Sequence, residues 1–126
     1  MSDGDQANIL MVDDQPGKLM SYEVILKELN ENLIQARSAR EALDHLLRQD
    51  IAVVLMDVSM PEMDGYETMQ VIRRNPQFRR LPIIALTAKA MKGDREKCLE
   101  AGASEYLAKP VNTEQLLSAC RMWLHR

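Results

Sequence analysis

The stretch Ile51–Asp57, IAVVLMD, decides the fold, because six consecutive apolar residues end at a single acid. A short run rich in Val and Leu is typical of a strand that is buried on both faces. The stretch Pro82–Thr87, PIIALT, repeats the pattern and ends at a hydroxyl. Such strands occur where helices cover both faces of a parallel sheet. The two stretches therefore predict an α/β protein.

Further apolar segments alternate with longer stretches that have helical spacing, such as the stripe formed by Leu19, Tyr22 and Leu26. Five such βα units with right-handed crossovers leave few topologies. We predict a doubly wound, five-stranded parallel sheet of order 2-1-3-4-5. The predicted strands are Asn8–Val12, Leu33–Arg37, Ile51–Asp57, Pro82–Thr87 and Glu105–Lys109.

Three of the predicted helices begin with the residue spacing of a capping box. Pro16 suits the first position of a helix, and Gly102 suits the position after a helix end. The stretch Ala90–Ala101 has the weakest apolar face, because Gly93 interrupts it. The capping-box pairs are Ser38 with Glu41, Asp64 with Glu67, and Asn112 with Gln115.

A length of 126 residues predicts a single domain over residues 1–126, with residues 1–7 as a flexible N-terminal segment. The net charge of -3 and an aromatic content of 4% argue against nucleic-acid binding. No apolar run approaches the length of a membrane span, and neither a signal peptide nor an anchor is expected. Cys98 and Cys120 are isolated, so that no zinc site or disulfide framework is predicted. These features favour a cytoplasmic location.

Polar side chains stand where four of the predicted strands end. In a doubly wound sheet the carboxyl ends of the strands meet at one edge, where ligands bind. Three carboxylates with no His or Cys nearby favour a hard cation, and Mg²⁺ is the natural occupant. The residues are Asp13 and Asp14 after the first strand, Asp57 after the third, Thr87 after the fourth and Lys109 after the fifth.

This set of groups suits phosphoryl transfer. A cation, the Lys109 ammonium and the Thr87 hydroxyl could surround a transferring phosphoryl group from three sides. Asp57 would be the nucleophile and would become an aspartyl phosphate. Each residue alone is more typical of a cap, a turn or a solvated surface, but their joint placement on one sheet edge favours a site.

Four segments closely resemble the signature segments of the receiver domain of two-component response regulators. The resemblance covers Ile9 to about Trp123, and it implies a flavodoxin-like (βα)5 fold. A weaker likeness of the C-terminal segments points to receivers attached to hybrid sensor histidine kinases. The four segments are ILMVDDQ, VVLMDVSMPEMDGYE, PIIALTA and GASEYLAKP.

The resemblance implies a role for each site residue. Asp57 would be the phosphoacceptor and would bind Mg²⁺ together with Asp14 and the backbone carbonyl of Ser59, while Asp13 would act through water. Lys109 would contact the acceptor and then the phosphoryl oxygens. Thr87 would move toward the phosphoryl group, and Tyr106 would turn inward as the second residue of this switch.

The resemblance also implies partners. A phosphohistidine on a histidine kinase or a histidine phosphotransfer domain would be the donor, and receivers can form homodimers. No nucleic acid and no membrane are expected as partners. The loop residues Met60, Pro61 and Met63 are candidates for the rim of the donor site, and Lys89 is a candidate for tuning the phosphoryl lifetime.

Two other functions fit parts of the pattern. A haloacid dehalogenase-type phosphohydrolase also uses an Asp nucleophile, but it needs a second acid two residues later, where this chain has Ser59. A phosphorylation-independent interaction module would not need all five site residues. His45 and His125 are more simply solvated residues than phosphohistidines. We therefore expect a signalling phosphoacceptor domain rather than an enzyme acting on external substrates.

Overall fold

The computed structural model describes residues 6–58, 65–87, 92–109 and 111–124. Within these ranges five strands alternate with five helices, and short 3₁₀ turns follow α1 at Lys27–Leu29 and α3 at Pro76–Phe78. The strands are β1 Asn8–Val12, β2 Asn32–Ala36, β3 Val53–Asp57, β4 Ile83–Thr87 and β5 Glu105–Ala108. The helices are α1 Pro16–Leu26, α2 Ala39–Arg48, α3 Gly65–Arg74, α4 Lys92–Ala101 and α5 Thr113–Leu124.

The sheet is parallel with the order β2-β1-β3-β4-β5, which confirms the predicted topology. In the register, Met11 of β1 lies between Gln35 of β2 and Leu55 of β3. All five residues of β3 and of β4 are buried, whereas the edge strands β2 and β5 are largely half-buried or exposed. The two uniformly apolar runs in the sequence are therefore the third and fourth strands, at the inner positions of the sheet.

The core lies in two layers, one on each face of the sheet. Val54 and Met56 pack with residues of α2, α3 and α4 on one face. Val53 and Leu55 pack with residues of α1 and α5 on the other. Cys98 lies in the first layer and Cys120 in the second, so the sheet separates these two buried cysteines.

Strand ends differ from the predictions by one or two residues. The second strand ends at Ala36 rather than Arg37, the third begins at Val53 rather than Ile51, and the fifth ends at Ala108 rather than Lys109. An apolar pattern reports burial, whereas a strand is defined by its ladder of backbone hydrogen bonds. Lys109 still donates its backbone N–H to Thr87, at 2.7 Å, and so remains attached to the sheet.

The helix caps follow the sequence where the structure describes them. The Ser38 hydroxyl accepts from the backbone N–H of Glu41 at 3.1 Å, and the Asn112 side chain accepts from the N–H groups of Glu114 and Gln115. Pro16 is the first residue of α1. Gly102 follows α4 with a φ of 122°, in the left-handed region that favours glycine. Asp64 lies outside the described residues.

Among the described helices, none has both the length and the apolar character that crossing a membrane requires.

Candidate functional site

The carboxyl edge of the sheet brings the predicted site residues together. Asp57 is the last residue of β3, and Asp13 follows β1 directly, so the neighbouring positions of these strands place the two carboxylates side by side. Each of the two residues is only 1% exposed. Thr87 is the last residue of β4 and is also buried. Acidic side chains are rarely buried to this extent without partners, which marks this edge as a built polar site.

Lys109 is the direct cationic partner of Asp57. Its Nζ lies 2.5 Å from Oδ2 of Asp57, and the lysine side chain is itself only 15% exposed. The lysine is held by its own backbone, because its N–H bonds to the carbonyl of Thr87. The ends of β3, β4 and β5 thereby place the backbones of Asp57, Thr87 and Lys109 at one edge, and the ion pair places the ammonium beside Asp57.

Asp13 lies in an environment that disfavours its charge. Burial raises the pKa of the Asp13 carboxyl from 3.8 to about 6, the backbone N–H of Gln15 opposes this shift, and the nearby Asp57 carboxyl adds to it. The Gln15 amide donates to Oδ1 of Asp13 at 3.0 Å. Two buried carboxylates side by side repel each other when both are charged, and a bound cation would offset that repulsion.

The donor set fits a magnesium ion. Asp14 is half-buried and follows Asp13 after β1, at the same edge of the sheet as Asp57. The described residues include no cluster of three His, Cys, Asp or Glu side chains close enough to hold an ion by themselves. Magnesium needs no such cluster, because it is usually bound through one or two carboxylates and retains several waters. Ser59, whose carbonyl was the third predicted ligand, lies outside the described residues, as do Met60, Pro61, Met63, Lys89 and His125.

Tyr106 lies on β5, where it pairs in register with Ala85 of β4. Its side chain is half-buried and packs against the core layer under α2, α3 and α4. The guanidinium of Arg95 from α4 lies 5.8 Å from the centroid of the Tyr106 ring, within the range of a cation–π contact. The tyrosine thus contacts α4 while sharing the β4–β5 ladder with Thr87.

Helix α1, which follows Asp14, contributes two residues that the sequence does not indicate as part of the site. The Tyr22 hydroxyl donates to Oδ2 of Asp13 at 3.2 Å, and Lys18 Nζ lies 3.7 Å from Oδ2 of Asp57. Burial raises the pKa of the Tyr22 phenol, and the charges of Asp13 and Asp57 add to that shift. The available signal was the position of Lys18 in the first helical turn, four residues after Asp14.

Gly65, the first residue of α3, allows this helix to approach the end of β3 closely. A Cβ at this position would lie 2.6 Å from Cα of Val58 and 2.8 Å from the carbonyl oxygen of Asp57. Both contacts are with backbone atoms, which cannot rotate away as the end of a side chain can. Gly65 is therefore needed for packing beside the site.

Comparison with known proteins gives one consistent family. The family model for the response regulator receiver domain matches residues 9–121. The histidine-protein kinase BarA of Shigella flexneri is 37% identical over 108 residues, which are 86% of this chain but 12% of BarA. The response regulator Rre1 of Synechocystis sp. is 35% identical over 120 residues, covering 94% of this chain and 52% of Rre1. This chain therefore corresponds to only part of the length of these relatives.

A solved structure agrees with the sequence relatives. The receiver domain of the sensor histidine kinase PA1611 from Pseudomonas aeruginosa, described with a magnesium ion in its active site cleft, is 37% identical. It superimposes with a TM-score of 0.86 and covers 96% of this chain and 99% of its own. The sheet order, the polar edge and these matches together place the chain in the response regulator receiver domain family.

Proposed function

We propose that this domain accepts a phosphoryl group on Asp57 from a phosphohistidine of a histidine kinase or a histidine phosphotransfer domain. Receiver domains act as phosphoacceptors in two-component systems and hybrid kinases. The observation that carries the assignment to Asp57 is its buried carboxylate at the end of β3, with the Lys109 ammonium 2.5 Å away. Among the described acids, Asp57 is the buried one whose carboxylate forms an ion pair with a largely buried lysine.

In the proposed transfer, Asp57 is the nucleophile and Lys109 is its cationic partner. A carboxylate oxygen of Asp57 attacks phosphorus, the new O–P bond forms, and the P–N bond to the donor imidazole breaks. Lys109 balances the negative charge that the phosphoryl oxygens bring to the site. The ammonium already contacts Asp57, and the Lys109 backbone is anchored to Thr87, so little reorganisation is required.

Asp14 and Asp57 would hold Mg²⁺ directly, together with the carbonyl of Ser59, and Asp13 would act through water. When bound, the ion supplies positive charge to the phosphoryl oxygens of donor and product. The magnesium-containing receiver of PA1611 supports this ligand type. In this chain, Tyr22 and the Gln15 amide orient Asp13 toward the site.

Signalling would use Thr87 and Tyr106. A phosphoryl group on Asp57 offers new acceptors that the Thr87 hydroxyl can contact, and these contacts exist in only one state of the domain. Tyr106 would turn inward as Thr87 moves. Such a rotation would break the Arg95 contact with its ring and so change the face formed by α4, β5 and α5.

The setting of the domain in a larger system is part of the proposal. Relatives such as BarA place receivers within long kinases, so residues 1–126 could act as one receiver domain of a longer protein or as a separate phosphorelay carrier.

A cytoplasmic location, a receiver homodimer and a flexible segment at residues 1–7 remain predictions. The domain would carry out only its own phosphorylation and dephosphorylation. A phosphorylation-independent interaction module is the alternative.

The intact mass of the protein after incubation with acetyl phosphate tests the proposal. We expect one phosphoryl adduct that depends on Mg²⁺ and disappears in Asp57→Asn. Asp50→Asn is the matched control, because Asp50 is exposed and lies at the opposite end of β3 from Asp57. An adduct that persists in Asp57→Asn would contradict the assignment. The absence of any adduct on the folded wild type would favour the interaction module.

A further inference from the structure

Lys18 is a second cation beside the acceptor. Its Nζ lies 3.7 Å from Oδ2 of Asp57, the same oxygen that Lys109 contacts. The two lysines reach this oxygen from different elements, since Lys18 belongs to α1 and Lys109 follows β5. The Lys18 side chain is 41% exposed, against 15% for that of Lys109. Asp57 therefore has one enclosed ammonium partner and one that solvent can reach.

The helix itself does not favour a lysine at this position. Lys18 is the third residue of α1, and a cation in the first helical turn is disfavoured by the helix dipole. The first turn holds no acidic residue, and the side chain of the cap residue Gln15 makes no capping hydrogen bond. The interactions within α1 therefore do not stabilise the positive charge of Lys18. The nearby carboxylate of Asp57 does.

We infer that Lys18 is a built-in counterion of the acceptor site, which weakens the binding of a divalent cation by competing with it for the same carboxylates. This inference rests on the proposed function, because it concerns the metal that Asp14 and Asp57 would hold. Three carboxylates and one lysine would leave two excess negative charges. With Lys18 only one remains, so that the attraction for a doubly charged ion is smaller.

The exposure of Lys18 determines the size of the effect. A partly exposed ion pair is screened by water, and the lysine can swing outward when an ion arrives. We therefore expect a moderate effect on metal affinity rather than a loss of binding. Lys109 contacts the same oxygen, but it is retained when Lys18 is replaced, so that only the contribution of Lys18 changes.

Isothermal titration calorimetry with MgCl₂ alone, without any phosphoryl donor, tests the inference. Lys18→Met keeps the apolar stem and removes the charge. It should lower the dissociation constant for Mg²⁺ about fivefold. Lys18→Gln, a second neutral variant, should do the same. Lys18→Arg keeps the charge and should bind as the wild type does.

Lys27→Met is the matched control, because Lys27 is exposed and lies nine residues further along the chain, roughly 13 Å along the helix axis. It removes the same charge but should leave the affinity unchanged. Equal affinities in the wild type, Lys18→Met and Lys18→Gln would overturn the role of Lys18 while leaving the proposed function intact. A folded wild type that shows no Mg²⁺ binding would overturn both.

Discussion

Asp57 is the proposed phosphoacceptor, and the ammonium of Lys109 is its nearest cationic partner. A buried carboxylate is costly unless it is paired, and Lys109 provides the pairing at 2.5 Å. Buried ion pairs add little net stability compared with apolar packing. The pair is better explained by reactivity, since an ammonium fixed at this position meets the negative charge of an incoming phosphoryl group.

The hydrogen bond from the Tyr22 hydroxyl to the Asp13 carboxylate can be tested by mutation. Replacing Tyr22 with Phe removes the buried hydroxyl that donates to Asp13 at 3.2 Å. We expect Tyr22→Phe to lower the free energy of unfolding by about 1.5 kcal/mol at neutral pH, because a hydrogen bond to a charged group is lost. Urea unfolding followed by circular dichroism measures this change.

A double-mutant cycle separates the hydrogen bond from general packing. In an Asp13→Ala background, Tyr22→Phe should lower the free energy of unfolding by much less, because the carboxylate that accepts the hydrogen bond is already absent. An equal cost in both backgrounds would show that the hydroxyl acts through some other contact.

The start of α3 shows how an element is fitted to the site. Gly65 lets the helix begin against the backbone of Asp57 and Val58. Helix α2 begins with a different local interaction, in which the Ser38 hydroxyl accepts a hydrogen bond from the Glu41 backbone N–H. The cap was visible in the sequence as a spacing, whereas the close approach at Gly65 depends on how two elements pack.

Gly65→Ala should therefore affect both stability and function. The added Cβ would lie 2.6 Å from a backbone atom, so α3 must shift, which we expect to cost about 1 to 3 kcal/mol of unfolding free energy. The shift would also move the end of β3, and phosphorylation by acetyl phosphate should slow. Thermal unfolding and the rate of adduct formation by intact mass are the two measurements.

Gly17→Ala is the matched control, because a Cβ on Gly17 meets nothing within 4 Å. Alanine is the better helix former, so this substitution should be neutral or slightly stabilising. If Gly65→Ala behaves like Gly17→Ala, the close contact at α3 has no role in placing the acceptor strand.

Across the whole molecule, the fold could be predicted because each buried strand shows its burial directly in the sequence. The apolar runs around Val54 and Ile84 indicated inner strands, and the handedness of crossovers then limited the order. The site followed from topology, since strand ends such as Asp13, Asp57 and Thr87 must meet at one edge. Neither step required knowledge of side-chain positions.

The remaining features depend on where long side chains point after packing. The Lys18 side chain has several rotatable bonds, and its approach to Asp57 depends on how α1 lies against β3. The hydrogen bond between Tyr22 and Asp13 likewise joins two elements, and Tyr22 was predicted only as part of an apolar stripe. Strand ends were misplaced at Arg37 and Lys109 because apolar patterns do not report hydrogen-bond ladders.

The most direct test of the central claim is to locate the phosphoryl group by chemistry. Borohydride reduces an aspartyl phosphate to homoserine, and peptide mass spectrometry then identifies the converted residue. After phosphorylation with Mg²⁺, we predict homoserine at position 57 and unchanged aspartate at positions 13 and 14. Conversion at either of those two positions, or a stable adduct on another residue with Asp57 intact, would contradict the account.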